Sequence, residues 1–578
     1  MISFKSASVC KFVRLFLLTV LFSCAGTKSW AVELSGNIQG QLSISGSPYS
    51  VTSNITIPAN STLSIDPGVV MLFSSGCGLT VNGVLNSSGT AENPVIFTST
   101  QDASSGGSGT GAAGQWGAIQ FQSAVPSNLS NTIIRFGQQI TLKNAAVRLD
   151  SVQIATMSVM AIASDLNSYI QGENNRAYGS PLNGVDLPSG TLAANAVWAI
   201  TGIPYVIRSG NLTLGTLQQL TIAPGVVVKL LSDAFAANGT LMAVGTSEAP
   251  IVFTSLRDDS IDGDSNLADG SVSPARGDWN DLYIGNPNSR LEHVIARWGG
   301  SSSGSYSIIS VNNASATFKS CDISSSAYDG MRIAGTNVPV LEGNQIHDNS
   351  RRGINSVDEL AGLVDLKGNS FFNNSEWGAY LNLAGRISSN TFAGNSNGLY
   401  INDGVVGAGV EISSNTFRNN AGHMVYLNKN AYPYGGGNVV AGGNGYAGMA
   451  LGKVNWTTSG TLGKIDDIPY LIRNGMFLLE SGTMRLSPGV VVKLKDNMMW
   501  LSGNLAAVGT PDSPIVFTSL RDDTIGGDSN LAEGSVSPAR GDWQNIFVNG
   551  AGSAASRFEN VIARWGGSSS GSYSIISV

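Results

Sequence analysis

Apolar and polar residues alternate in short runs along most of this chain, as in Gly398-Leu399-Tyr400-Ile401, and Gly, Asn or Ser separates the runs. Such alternation predicts strands with one buried side, and the separators are turn chemistry. Between Cys321 and Asn444 the runs share a phrase: a small polar residue, a variable one, an apolar one. It reads Cys321-Asp322-Ile323, Asn344-Gln345-Ile346, Asn369-Ser370-Phe371, Asn390-Thr391-Phe392, Asn415-Thr416-Phe417 and Asn438-Val439-Val440, in steps of 23, 25, 21, 25 and 23 residues. A glycine follows each phrase, at Gly330, Gly353, Gly378, Gly398, Gly422 and Gly448. A period of this size predicts stacked repeats.

Three short strands and three turns fill such a repeat. One unit cannot bury its own apolar side, but neighbours ~4.8 Å apart pair as parallel strands and bury it together. Asn344, Asn369, Asn390, Asn415 and Asn438 then recur at one corner and are expected to bond one above another as an amide ladder. Cys321 reads as a substitute in that stack, matching Val152. The expected fold class is all-β, a parallel solenoid of about 23 residues per coil. The phrases resemble the right-handed parallel β-helix of the pectate-lyase-like superfamily, most strongly over Leu291–Gly448. At ~4.8 Å per coil the chain would form a rod of roughly 100 Å.

A longer repeat lies over the coils. Leu63-Ser64-Ile65-Asp66-Pro67-Gly68-Val69-Val70 returns as Leu220-Thr221-Ile222-Ala223-Pro224-Gly225-Val226-Val227 and, shortened, as Leu486-Ser487-Pro488-Gly489-Val490-Val491. Pro94-Val95-Ile96-Phe97-Thr98-Ser99 returns at Pro250 and Pro514, and Trp116, Trp279 and Trp543 follow in step. Ile133-Ile134-Arg135-Phe136-Gly137 matches Ile295-Ala296-Arg297-Trp298-Gly299 and Ile562-Ala563-Arg564-Trp565-Gly566. These modules resemble those of bacterial cell-surface β-helix proteins. They run over 32–185, 186–450 (with the Asn coils) and 451–578, and the joins Trp198–Tyr205 and Trp456–Tyr470 each end in Ile-Pro-Tyr. With no Pro-rich or charged linker, one continuous rod is expected. Module three stops at Ser577-Val578, the counterpart of Ser310-Val311. A coil cut there would need a cover, so further sequence or another chain is expected to supply one.

Residues 1–31 read as a secretory signal peptide: Lys5, Lys11 and Arg14 precede the apolar Leu15–Phe22, and Ser29-Trp30-Ala31 has A-x-A form. Cleavage after Ala31 is favoured over a lipid anchor at Cys24, and either places the protein outside the cell or on its surface. No other apolar run is long enough to span a bilayer. Cysteine is scarce: Cys77 and Cys321 alone follow the leader, so no disulfide framework is expected. Lys plus Arg total 32 against 39 acids, a net charge of −7, and basic clusters are lacking, which argues against nucleic acid as a partner.

Candidate chemistry concentrates in two loops. Asp258, Asp259, Asp264, Asn266 and Asp269 of module two align with Asp522, Asp523, Asp528, Asn530 and Glu533 of module three, and alternating oxygen donors before Gly270 and Gly534 suit calcium as a structural cofactor. Trp377, Tyr380, Tyr400 and Tyr426 lie near the turn glycines of successive coils and are candidates for stacking on the sugar rings of a polysaccharide or cell-surface glycan. The leading reading is thus a secreted or cell-surface rod with a structural, adhesive or glycan-binding role. The resemblance also implies an alternative, a polysaccharide lyase or glycoside hydrolase working in a groove along the helix. No catalytic residue is singled out for it. Arg257, Arg351 and Arg352 are the basic residues to consider, the Gly-His-Gly phrase of polygalacturonases is missing, and His293, His347 and His423 stand on separate repeats, against a zinc site.

Overall fold

The computed structural model describes residues 31–578 apart from 268–269, 271, 302–306, 357–361, 404–408, 480–481 and 569–573. Residues 1–30 of the expected leader, Cys24 with them, and Asp269 lie outside the described residues. The chain winds through about 20 turns, and the named strands pair in parallel, each with its counterpart one coil on. Among the described residues the only helical elements are single 3-10 turns such as Ile44–Gly46 and Leu531–Glu533, and no helix is long and apolar enough to cross a membrane.

Each regular coil contributes one strand to each of three faces. On the first, Ile323, Ile346, Phe371, Phe392 and Phe417 lie one above another. On the second the column is Ile309, Met331, Ile354, Ala379, Leu399, Val425 and Met449. On the third it is Leu291, Phe318, Leu341, Leu366, Ile387 and Ile412. All of these point inward, into one apolar core continuous from Leu42 to Val548. Like packs on like: the Phe371, Phe392 and Phe417 rings stack at 5.0 and 5.2 Å.

Two amide ladders follow the first face. Asn344, Asn369, Asn390, Asn415 and Asn438 are linked at 2.8–3.1 Å, each carboxamide oxygen accepting the backbone N–H of the coil before it. The Cys321 N–H donates to the first, and Asp466 accepts the last. A second ladder, Asn349, Asn374, Asn395, Asn420 and Asn444, runs at the other end of the same strands. Every ladder amide but that of Asn349 also donates to a backbone carbonyl, as Asn390 Nδ2 does to Leu366 O at 2.9 Å. Buried turns thereby satisfy polar groups that would otherwise be costly to leave unpaired.

The three modules share a second framework. Trp116, Trp279 and Trp543 are fully buried, and their indole N–H groups donate to the carbonyls of Arg135, Arg297 and Arg564 at 2.8, 3.0 and 3.1 Å. Those arginines reach Asp102, Asp258 and Asp522, which also accept from Thr98, Thr254 and Thr518. The glycine after each Phe or Trp has to be glycine: a Cβ on Gly299 or Gly566 would lie 2.5 Å from the indole of Trp279 or Trp543.

At the joins the faces shift. The second-face column of module one, Ile140, Ile162 and Val185, continues as Tyr205, Val228, Phe253 and Ala296, the first face of module two. The second face of module two continues from Met449 into Tyr470, Val492 and Phe517, the first face of module three. At each join the second face of one module thus becomes the first face of the next, while the third face of module one runs on through Ala196–Ile200 into the third face of module two.

Candidate functional site

The aromatic candidates assemble on the outside of the second face. Tyr380, Tyr400 and Tyr426 occupy one register on the strands Trp377–Ser388, Asn397–Asp403 and His423–Leu427, with inward leucine and isoleucine beside them. Alternation therefore aims all three rings outward. They stack on one another at 4.1 Å and 4°, then 5.4 Å and 10°. Trp377 stands edge-on to them, 5.3 Å from Tyr400. The Arg352 guanidinium covers Tyr380 at 3.9 Å and closes one end of the stack. Two residues on, Asn382, Asn402 and Asn428 form an outer amide chain at 2.8 and 3.2 Å, bonded to the Tyr400 hydroxyl. Burial and the neighbouring Tyr380 phenol push the Tyr400 hydroxyl well above the usual tyrosine range.

This arrangement corrects the expectation of a sugar-stacking platform on the four aromatics. The tyrosine faces are turned to each other and to Arg352, so ring edges, hydroxyls and amides are what the stack offers outward. Beside it lies a charged network. Glu376 bridges Arg351 and Arg352 at 2.9 Å each. Asp329, fully buried, accepts from Asn355 Nδ2 at 2.7 Å and from the Arg352 N–H. Burial pushes the Asp329 carboxyl above its ordinary value, against the pull of Asn355 and the two arginines.

The two acidic loops have a different centre from the one expected. Asp258 and Asp522 belong to the Thr-Asp-Arg unit common to all three modules. Glu533 is bonded to Lys495, Tyr446 and Arg473. Asp264 and Asp528 accept the N–H of Asn266 and Asn530 within the loop. Asp259 and Asp523 are exposed at its rim. At the middle sit the ammonium groups of Lys229 and Lys493, which sequence reasoning missed: they stand 29 to 35 residues before the acids they meet. The described members of the donor set do not fit calcium. Its best carboxylates are already paired with cations, and among the described residues no three His, Cys, Asp or Glu side chains converge to hold a metal.

The histidines stay apart. His347 lies between Asp322 and Asp348 and stacks on Phe372 at 4.2 Å. His423, buried against Tyr446 and Arg473, is held neutral: burial, then the guanidinium, lower its pKa to about 4. Cys77 and Cys321 are buried free thiols.

Residues 300–456 match the family model described as "Right handed beta helix region", which covers the laddered coils and the tyrosine stack. No curated protein and no solved structure matches the chain.

Proposed function

We propose that this right-handed parallel β-helix repeat protein is a secreted or cell-surface rod that contacts glycans through the tyrosine–asparagine face of module two. The leader pattern of residues 1–31 supports export. The observation that carries the contact is the register of Tyr380, Tyr400 and Tyr426 with Asn382, Asn402 and Asn428. It sets a row of donors and acceptors at the coil repeat on a support too rigid to rearrange. Hydroxyl-rich chains are bound by such rows at little ordering cost. The test is retention of the full chain on a panel of uronate-containing and neutral polysaccharides, beside a chain carrying Tyr400→Phe and Asn428→Ala. Weaker retention of the variant at unchanged melting temperature is expected. Equal retention of both, or none by the unmodified chain, defeats the reading.

A second reading, polysaccharide cleavage, has one observation in its favour: Asp329, a carboxyl held up by burial, lies beside Arg351 and the Arg352–Glu376 pair. A carboxyl raised in this way suits the acid role in such a reaction. New reducing ends or unsaturated products from the same panel, lost on Asp329→Asn, would establish it in place of the first.

A further inference from the structure

Lys229 and Lys493 stand on the outer side of the strands Val227–Leu230 and Val491–Leu494, next to Val206 and Thr254 in one case and Leu471 and Thr518 in the other. An outward lysine on a sheet ordinarily keeps its ammonium in water. Both of these are 0 % exposed, because the loop after the next strand folds over them. Lys229 Nζ donates to Gly263 O and Ser265 Oγ at 2.8 Å each, and Lys493 Nζ donates to Gly527 O. Asp262, Asp258, Asp259 and Asp264 surround the first, and Asp523, Asp522 and Asp528 the second. Burial lowers the pKa of both ammonium groups, Lys493 to about 8, while these acids hold the charged form.

Module one is an internal control. Leu72 takes the lysine's register there, opposite Thr98, and its loop over 100–115 carries Asp102 as its one acid. Lysine and added acids occur together or not at all. Each closed loop also reaches back across its join. Asn183 donates from Nδ2 and N to the carbonyls of Asp264 and Ser265 at 2.8 and 3.0 Å. The Ala532 N–H donates to Gly445 O at 3.0 Å, and Glu533 meets Tyr446. Beneath them Leu256 packs on Leu182 and Val206, and Leu520 on Ala450 and Leu471.

We infer that each acidic loop is a cation site whose cation is the chain's own lysine, and that the loop so filled fastens its module to the last coils of the preceding one.

The test uses the full chain. Lys493→Leu, the module-one residue, removes the ammonium and leaves Asp523 and Asp528 uncompensated. Earlier thermal unfolding and loss of protease resistance at 526–534 are expected. Adding Asp523→Asn and Asp528→Asn to that variant is expected to restore most of both, whereas those two changes in the presence of Lys493 destabilise. Calcium and chelator are expected to leave the unmodified chain's melting unchanged. The inference is overturned if Lys493→Leu unfolds and digests like the unmodified chain, if the triple variant recovers nothing, or if calcium raises the unmodified chain's melting temperature. Should Lys493→Leu alone not fold, the triple variant decides: a folded product supports the inference and an unfolded one overturns it.

Discussion

The laddered coils of module two and the joins at either end of it secure the same rod by different means. Within 344–444 all three faces continue from coil to coil, with one register shift between Val364 and Leu366 on the third, and buried amides bond both neighbours. At the joins the pairing thins: the shifted face continues through Val185–Tyr205 and Met449–Tyr470, and at the first join the third face continues only through the ends of Tyr169–Gly172 and Ala196–Ile200. The seam is fastened by a buried tyrosine in place of a repeated rung. Tyr205 and Tyr470 are buried, and their hydroxyls bond backbone, Tyr470 to Gly463 O at 2.8 Å. Tyr49 does the same at the start of module one, with Ser43 O at 2.9 Å. Repetition stabilises the interior of a solenoid because each rung satisfies the next. A change of register needs dedicated groups.

Breaking a rung is expected to have the largest effect. Asn390→Ala strands the Asn369 N–H and takes one bond each from the Asn369 amide, the Leu366 carbonyl and the Asn415 oxygen, all in a dry corner. A loss of roughly 3–4 kcal/mol is expected in urea unfolding, with hydrogen exchange opening first at residues 366–415. A loss equal to that of an exposed Asn→Ala change would show that the ladder is incidental. Tyr470→Phe removes a single hydroxyl at a seam and should cost about 1 kcal/mol. Tyr49→Phe removes a hydroxyl that both donates to Ser43 O and accepts from the Ser43 N–H, so it should cost at least as much, and a larger loss at Tyr470 would mark the seam as the weaker point.

The smallest effect is a pH dependence inside the laddered region. Burial lowers the pKa of His347, but its hydrogen bonds to Asp322 and Asp348 outweigh this and raise it above the ordinary 6.5. Its imidazolium therefore stabilises the fold below the ordinary value, and the contribution is lost as pH rises through the folded value. A difference below about 1 kcal/mol is expected. His347→Asn should flatten that part of the stability–pH curve; an unchanged curve would assign it to other groups.

The coil, its period and the first amide ladder were legible because each repeats in sequence the contact it makes in space. The second ladder was equally visible, five residues on in Asn344–Asn349, Asn369–Asn374 and Asn390–Asn395, but a reading confined to the start of each phrase passes it by. The tyrosines could be placed on neighbouring coils, yet nothing in their spacing says that the rings would face each other. The loops were misread for a related reason. Counting oxygens along a segment finds acids, whereas the charge they answer to stands on another strand. The available signal was Lys229 and Lys493 against Leu72, changing in step with the acids. The face shift leaves no local trace, since it is a property of which strand pairs with which.

That shift fixes how equivalent points on the molecule are aimed. Corresponding loops in modules two and three project from different sides of the rod, as treads do from a spiral stair. Each module added by duplication therefore turns the next set of loops to a new heading as well as carrying it farther out.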